Sequence, residues 1–289
     1  MSTGFFTNPA QIRAWSRVRP LLKRAVDSWT PRLGRIYRQL RDARAAHGRP
    51  VPTPFGFQLA GCPAMASGSF ETEEIGVFLQ YLEGVSVCVD IGANIGLYSC
   101  LAASRGRRVV AIEPLLRNVN VLFRNLACNG YFDVEVYPLG LSSQPGIGRL
   151  YGGGSGASFV PGWAGNPHGW SRLAPVSTLD VLAGARFDGL PLLIKLDVEG
   201  FELEVLKGAE RTLNLTPKPL WLVEISLKEP WPSGWNDKFR ETFEVFWRHG
   251  YQARIADSAQ RPVGPRDVSR WAAKGCIDFG WHNYFFTHG

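Results

Sequence analysis

No apolar run in this sequence approaches the roughly 18 residues that a membrane-spanning helix requires. The opening stretch MSTGFFTNPAQIRAWSRVR holds no continuous apolar segment that could form the core of a secretion signal. A cytoplasmic protein is the expectation. Cys62, Cys88, Cys100, Cys128 and Cys276 are odd in number and include no C-x-x-C pair, so they read as reduced thiols rather than a disulfide framework or a zinc knuckle. None of the five histidines has a partner at metal-ligand spacing; His168 and His282 could reach a site, but a lone histidine reads first as surface or core. Charged residues make up only 20% of the chain against 45% hydrophobic, which excludes disordered and fibrous classes and leaves a globular protein of 289 residues with a real core.

The net charge is +7, which invites a nucleic-acid reading until its distribution is considered. Residues 1–50 hold eleven lysines and arginines against Asp27 and Asp42, for +9, and residues 51–289 carry the remaining −2. The main body is therefore nearly neutral, and no nucleic-acid partner is expected for it. The basic part shows a helical stripe at Trp15, Val18, Leu22, Val26 and Trp29, interrupted by Pro31, and a second at Leu33, Ile36, Tyr37 and Leu40. We read 1–50 as a basic helical extension whose stripe packs on the main domain, with contact to an anionic membrane surface as the alternative. Residues 51–289 form the second unit.

From Val85 onward, short β-branched runs alternate with helical patterns. Strands are expected at Val85–Asp90, Arg108–Glu113, Asp133–Tyr137, Leu192–Asp197, Trp221–Glu224, Tyr251–Ile255 and Asn283–Thr287. Helices are expected over Gly96–Ser104, around Val119–Leu126, over Glu202–Leu213 and over Asp237–His249. This alternation predicts an α/β fold with a doubly wound, mostly parallel sheet covered on both faces. The interval from Leu141 to Val176 breaks the rhythm with Gly152, Gly153, Gly154, Trp163 and Trp170, and reads equally as irregular surface or as a loop facing a substrate.

The informative segment is VSVCVDIGANIGLYS. A buried strand ends in Asp90, and Gly92, Asn94 and Gly96 lead into a helix whose N-terminus presents backbone N–H groups to a ligand. Glycine there predicts close approach of ligand to backbone. A nicotinamide-dependent oxidoreductase would want G-x-G-x-x-G, but position 94 is asparagine and the glycines are spaced G-x-x-x-G. D-x-G-x-N-x-G suits S-adenosyl-L-methionine instead, with Asp90 toward the cationic amino-acid end and the turn toward its carboxylate. Glu113, 17 residues after Gly96, is placed to take both ribose hydroxyls.

The run from Val85 to Glu224 resembles the FkbM family of S-adenosylmethionine-dependent methyltransferases. VDIGANIGLYS, VVAIEP, NLACNG, VEVYPLGLS, STLD, IKLDVEGFELEVLKGAE and LVEIS stand in the family's order and spacing. The resemblance implies a class I methyltransferase fold and methyl transfer, usually to oxygen, with sugars and polyketide hydroxyls among the acceptors. Gly140 stands where the family usually has alanine, the glycine-rich loop is longer than common, and the basic first 50 residues lie outside the resemblance.

Ligands of open α/β sheets sit beyond the carboxyl ends of the strands. Asp90 and Glu113 are assigned there to the cofactor, and Leu139 with Gly140 would line the adenine. Asp197, Glu199 and Glu224 are left for the chemistry. Asp197 or Glu199 would act as base, with a base or orienting role for Asp197 put first; alternatively Asp197 and Glu224 would be oxygen ligands of a divalent metal, a reading not favoured because no third ligand is evident. The structural alternatives are that Glu199 caps the following helix and that Glu224 pairs with Lys195. Glu73 is a minor candidate for the acceptor or the methionine end, more simply read as a helix-N-terminal acid. The acceptor is expected to be a small molecule or a saccharide. A nonenzymatic membrane or nucleic-acid binding module is the remaining alternative, resting on the basic extension alone.

Overall fold

A computed structural model describes residues 48–228 and 230–288. The helical stripes expected before Pro50, and the membrane contact considered for them, fall on residues outside that range.

The apolar runs become strands β1 (Val87–Ile91), β2 (Arg108–Ile112), β3 (Glu135–Tyr137), β4 (Leu192–Leu196), β5 (Leu220–Glu224), β6 (Gln252–Ile255) and β7 (Asn283–Thr287). They lie in the order 3-2-1-4-5-7-6, and Pro262–Val263 pairs beyond β6. Pairs from β3 through β5 are parallel, whereas β7 runs antiparallel to both β5 and β6. This is the doubly wound α/β sheet of the class I methyltransferase type that the sequence led us to expect. The chain winds outward from β1 to β3 and then returns to the other side of β1 for β4. That reversal opens a crevice at the carboxyl ends of β1 and β4, where such sheets bind ligands.

Both faces are buried, which is why the strands read as unbroken apolar runs. Val89, Ile194, Leu196 and Val223 face α4 (Glu202–Lys207) and α5 (Phe239–Arg248), while Cys88, Leu193, Leu222 and Phe285 face α1 (Thr72–Leu82), α2 (Leu97–Ser104) and α3 (Leu116–Cys128). A further helix, α6 (Pro265–Lys274), packs Val268 and Trp271 into the first of these layers. No described helix is long and apolar enough to cross a membrane.

Two expectations change. The helix over Glu202–Leu213 is broken after Lys207 and resumes as a single turn at Glu210–Leu213. A Cβ on Gly208 would sit 2.2 Å from the Ser142 carbonyl oxygen, so the chain passes that backbone closely where the helix breaks. The interval after Leu139 is also more regular than it reads: Gly140–Leu141, Gly146–Tyr151 and Ser171–Ser177 form a three-stranded sheet, leaving 152–170 as its loop.

The NLACNG motif has a structural use that its helical spacing hides. Asn125 accepts from the Ala60 N–H (2.8 Å) and donates to the carbonyls of Ala60 (3.2 Å) and Ile95 (2.8 Å). One turn on, Asn129 clasps both backbone groups of Gln58 at 2.7 Å. The two side chains act as a substitute strand that fastens the chain before α1 to α3. Asn125→Ala leaves three backbone groups unpaired in a buried place, and a loss of about 3 kcal/mol is expected. Calorimetric melting should show a fall in Tm of roughly 6–12 °C; an unchanged Tm would contradict the clasp.

Candidate active site

After β1 the chain turns through Gly92 (φ 83°), Asn94 (φ 51°) and Gly96 (φ 91°) before entering α2. Three left-handed residues in five favour glycine and asparagine on backbone grounds alone. The space a side chain would need is also taken, but by protein: a Cβ on Gly92 would lie 1.8 Å from the Asp197 carbonyl oxygen, and one on Gly96 2.3 Å from Leu122 Cδ1. The glycines thus first serve packing of the turn on β4 and α3.

The same turn is tied to the end of β2. Gly92 and Ala93 N–H groups donate to the Ile112 carbonyl, the Asn94 N–H donates to Glu113 Oε2 (2.8 Å) and the Leu115 N–H donates to Oε1 (2.8 Å). Burial pushes the Glu113 carboxyl up to about 7 against these hydrogen bonds. Glu113, Leu139 and Gly140 line one cavity together with Asn118, Leu150, Phe159, Asp197 and Glu199, so carboxyls and apolar side chains share its wall. The chemistry of these residues fits a nucleoside: each Glu113 oxygen keeps acceptor capacity for a ribose hydroxyl, and Leu139, Leu150 and Phe159 offer apolar surface to a base.

A second cavity of about 260 Å³ adjoins the first. Gly92, Asn94, Ser155, Asp197 and Glu199 line both, whereas Asp90, Glu71, Lys195 and Glu224 line only the second. Gly96 lines neither. In the β1–β4 register Asp90 stands beside Lys195, and Ser99 donates to Asp90 at 2.6 Å. Lys195 is buried, contacts Asp197 Oδ2 at 2.7 Å and lies 4.5 Å from the centre of the Tyr98 ring. Burial opposes its charge, but Asp197, Glu71 and Asp90 together hold it protonated above the usual lysine range.

The carboxyls at the ends of β4 and β5 divide into two states. Burial raises Asp197, yet the Lys195 ammonium outweighs it and keeps that carboxyl below its ordinary range. Glu224 is pushed well up by burial and by the Asp197 charge, and the hydrogen bond it shares with Asp197 raises it further. Glu199 is raised to about 8, first by burial and then by Asp197. Lys195 therefore pairs with Asp197, where the sequence alternative put Glu224. Glu199 is also not the helix cap: Glu202 Oε1 accepts from the Val198 N–H (3.1 Å) and the Gly200 N–H (3.0 Å) at the start of α4.

Loop 152–170 covers this junction. Trp163 Nε1 donates to Glu199 Oε2 at 2.6 Å, and Ser158 Oγ donates to the Glu199 carbonyl at 2.6 Å. Trp163 is 2% exposed, and a Cβ on Gly200 would lie 2.3 Å from its ring. Phe159 occupies the corresponding space over Gly140, 2.4 Å from where a Cβ would stand.

Sequence reasoning missed Glu71. It has φ 45°, accepts from Tyr98 OH at 2.7 Å and lines the second cavity, whereas Glu73 turns away to Ser258. No local pattern signals a left-handed glutamate ahead of a helix. His168 lies edge-on to Tyr151 and, like His282, is absent from the lining of both cavities. Among the described residues, no group of three or more His, Cys, Asp or Glu side chains is arranged to hold a metal ion.

Comparison with known proteins gives a match of residues 90–253 to the Methyltransferase FkbM domain. Hexuronic acid methyltransferase AglP of Haloferax volcanii is 30% identical over 156 residues, which cover 50% of this chain and 58% of that protein. The chain thus spans little more than half the length of this curated relative. Among solved structures, cofactor-bound Rv0187 from MTB aligns with 98% of this chain and 97% of its own at 15% identity and a TM-score of 0.41. The WbdD crystal structure aligns with 76% of this chain and 39% of its own at 16% identity and a TM-score of 0.41.

Proposed function

The chain belongs to the FkbM methyltransferase family, and from that premise we propose that it transfers the methyl group of S-adenosyl-L-methionine to a hydroxyl oxygen of a sugar, glycolipid or secondary metabolite. The observation that carries this reading is the placement of Glu199. It is a carboxyl raised to about 8 that lines both the cavity holding Glu113, Leu139 and Gly140 and the one holding Asp90 and Lys195 beside it. A base for a hydroxyl needs that position, at the boundary between donor and acceptor, and that near-neutral protonation. The resemblance to a hexuronic acid methyltransferase favours a saccharide among the acceptors.

When bound, S-adenosylmethionine supplies a methyl group activated by its sulfonium. Glu113 would hold the ribose hydroxyls, Leu139 and Gly140 would flank the adenine, and Asp90 would offer negative charge toward the ammonium. Gly92 and Asn94, on the wall between the cavities, would border the cofactor's middle, with Gly96 fixing the turn behind them. Glu199 takes the proton of the acceptor hydroxyl as the oxygen attacks. Asp197, kept ionised by Lys195, raises the proton affinity of both Glu199 and Glu224. A divalent cation between Asp197 and Glu224 is the competing role for that pair; it is less favoured because the Lys195 ammonium already neutralises Asp197.

Incubation with methyl-labelled cofactor and a panel of neutral sugars, uronic acids and phenolic or polyketide alcohols tests the proposal by where the label lands. Label on nitrogen or carbon, and on no oxygen, would overturn it. In calorimetry, S-adenosylhomocysteine should bind and NAD should not. Glu113→Ala removes charge-assisted hydrogen bonds of about 1.5–3 kcal/mol, so affinity should fall roughly ten- to hundredfold. An unchanged affinity would remove Glu113 from the cofactor site.

A further inference from the structure

We propose that Trp163 is a positioning residue for the reaction: its indole N–H fixes the orientation of the Glu199 carboxyl and favours its ionised form. The inference rests on Glu199 as base. The donor reaches in from loop 152–170 to Glu199, which stands in a left-handed turn (φ 58°) between β4 and α4. The 2.6 Å bond from Nε1 to Oε2 leaves Oε1 as the oxygen that can face an acceptor. The donor is itself held rigidly. Its ring lies on Gly200, where any side chain would collide at 2.3 Å, and edge-on to Trp231 with centroids 5.1 Å apart. Ser158, five residues earlier in the loop, bonds the Glu199 carbonyl at 2.6 Å, so backbone and side chain of one residue are gripped from one loop.

An N–H donated to a carboxylate stabilises the charged form and lowers the pKa. Without that donor, Glu199 should titrate about one to two pH units higher. Burial and Asp197 raise Glu199 to about 8 even with the bond in place. Loss of the bond would therefore push the base out of the neutral range.

The test uses two labels on the full chain. With ¹⁵N-labelled indoles, the cross-peak that disappears in Trp163→Phe is assigned to Trp163. It should move with pH in the wild-type protein, with a midpoint near that of Glu199, and stay fixed in Glu199→Gln. With ¹³C-labelled glutamate carboxyls, the Glu199 midpoint in Trp163→Phe should rise by about one to two units, and the rising limb of the kcat/KM profile should move with it. A pH-invariant indole signal in the wild type overturns the proposal, as does a Glu199 midpoint unchanged by Trp163→Phe. If Trp163→Phe fails to fold, the wild-type and Glu199→Gln titrations decide alone. Retention of wild-type turnover by Glu199→Gln would overturn the base reading itself, a different result from either of these.

Discussion

Glu199→Gln should lower kcat by at least about a hundredfold and leave affinity for S-adenosylhomocysteine nearly unchanged. The variant keeps the shape of the side chain and an oxygen for the Trp163 N–H, but it cannot take a proton. In the wild type, kcat/KM should rise with pH through about 8 as the carboxyl ionises, and the variant's residual rate should show no such limb. Stability should move the other way. The folded-state pKa lies above the ordinary value of 4.5, so the folded protein holds a proton that the unfolded chain has released. Stability from this group is complete below pH 4.5 and declines up to about 8, at a slope of about 1.4 kcal/mol per pH unit. Glu113 and Glu202, both raised to about 7, add to the same decline. Glutamine carries no such charge, so Glu199→Gln should melt above the wild type at pH 8. Wild-type turnover in the variant would return Glu199 to a structural role.

Asp197→Asn is expected to fail in two separable ways. Turnover should drop by about tenfold, because without the Asp197 charge Glu199 is the weaker base. Stability should drop as well, by about 3–5 kcal/mol, since the buried Lys195 loses its 2.7 Å partner. Denaturant unfolding measures the second effect, and labelled-methyl transfer at low temperature, where the variant stays folded, measures the first. A cation held by Asp197 and Glu224 would instead show itself as chelator-sensitive wild-type activity restored by magnesium. Full stability in Asp197→Asn would mean that Lys195 is satisfied by Asp90 and Glu71.

The strand-end carboxyls were legible in the sequence because a buried strand states its own length: its apolar run stops where the crevice begins. Asp90, Glu113, Asp197 and Glu224 could be placed there by counting, and the strands that carry them lie within a few residues of their expected bounds. What each carboxyl does was not legible, since that depends on neighbours brought in from elsewhere. Asp197 and Glu199 are two residues apart, yet one is lowered by Lys195 and the other raised by burial under Trp163, 36 residues away. The strand Gly146–Tyr151 went unread because GIGRLY has neither alternation nor β-branched density. Asn125 read as one more polar position on a helix, although it is fully buried and holds a distant segment.

The two margins of the central sheet have a consequence for how copies of this chain can meet. On one side the last strand is β3, three residues long and crowned by Glu135 between Arg108 and Arg186; on the other it is Pro262–Val263, two residues long with a proline among them. Short, charged or proline-bearing margins make poor templates for a strand from another molecule. Neighbouring molecules therefore gain little by extending the sheet from one chain into the next. Concentrated protein should resist β-type aggregation as long as the fold holds, and should acquire that tendency only once unfolding exposes the long apolar runs of β1 and β4.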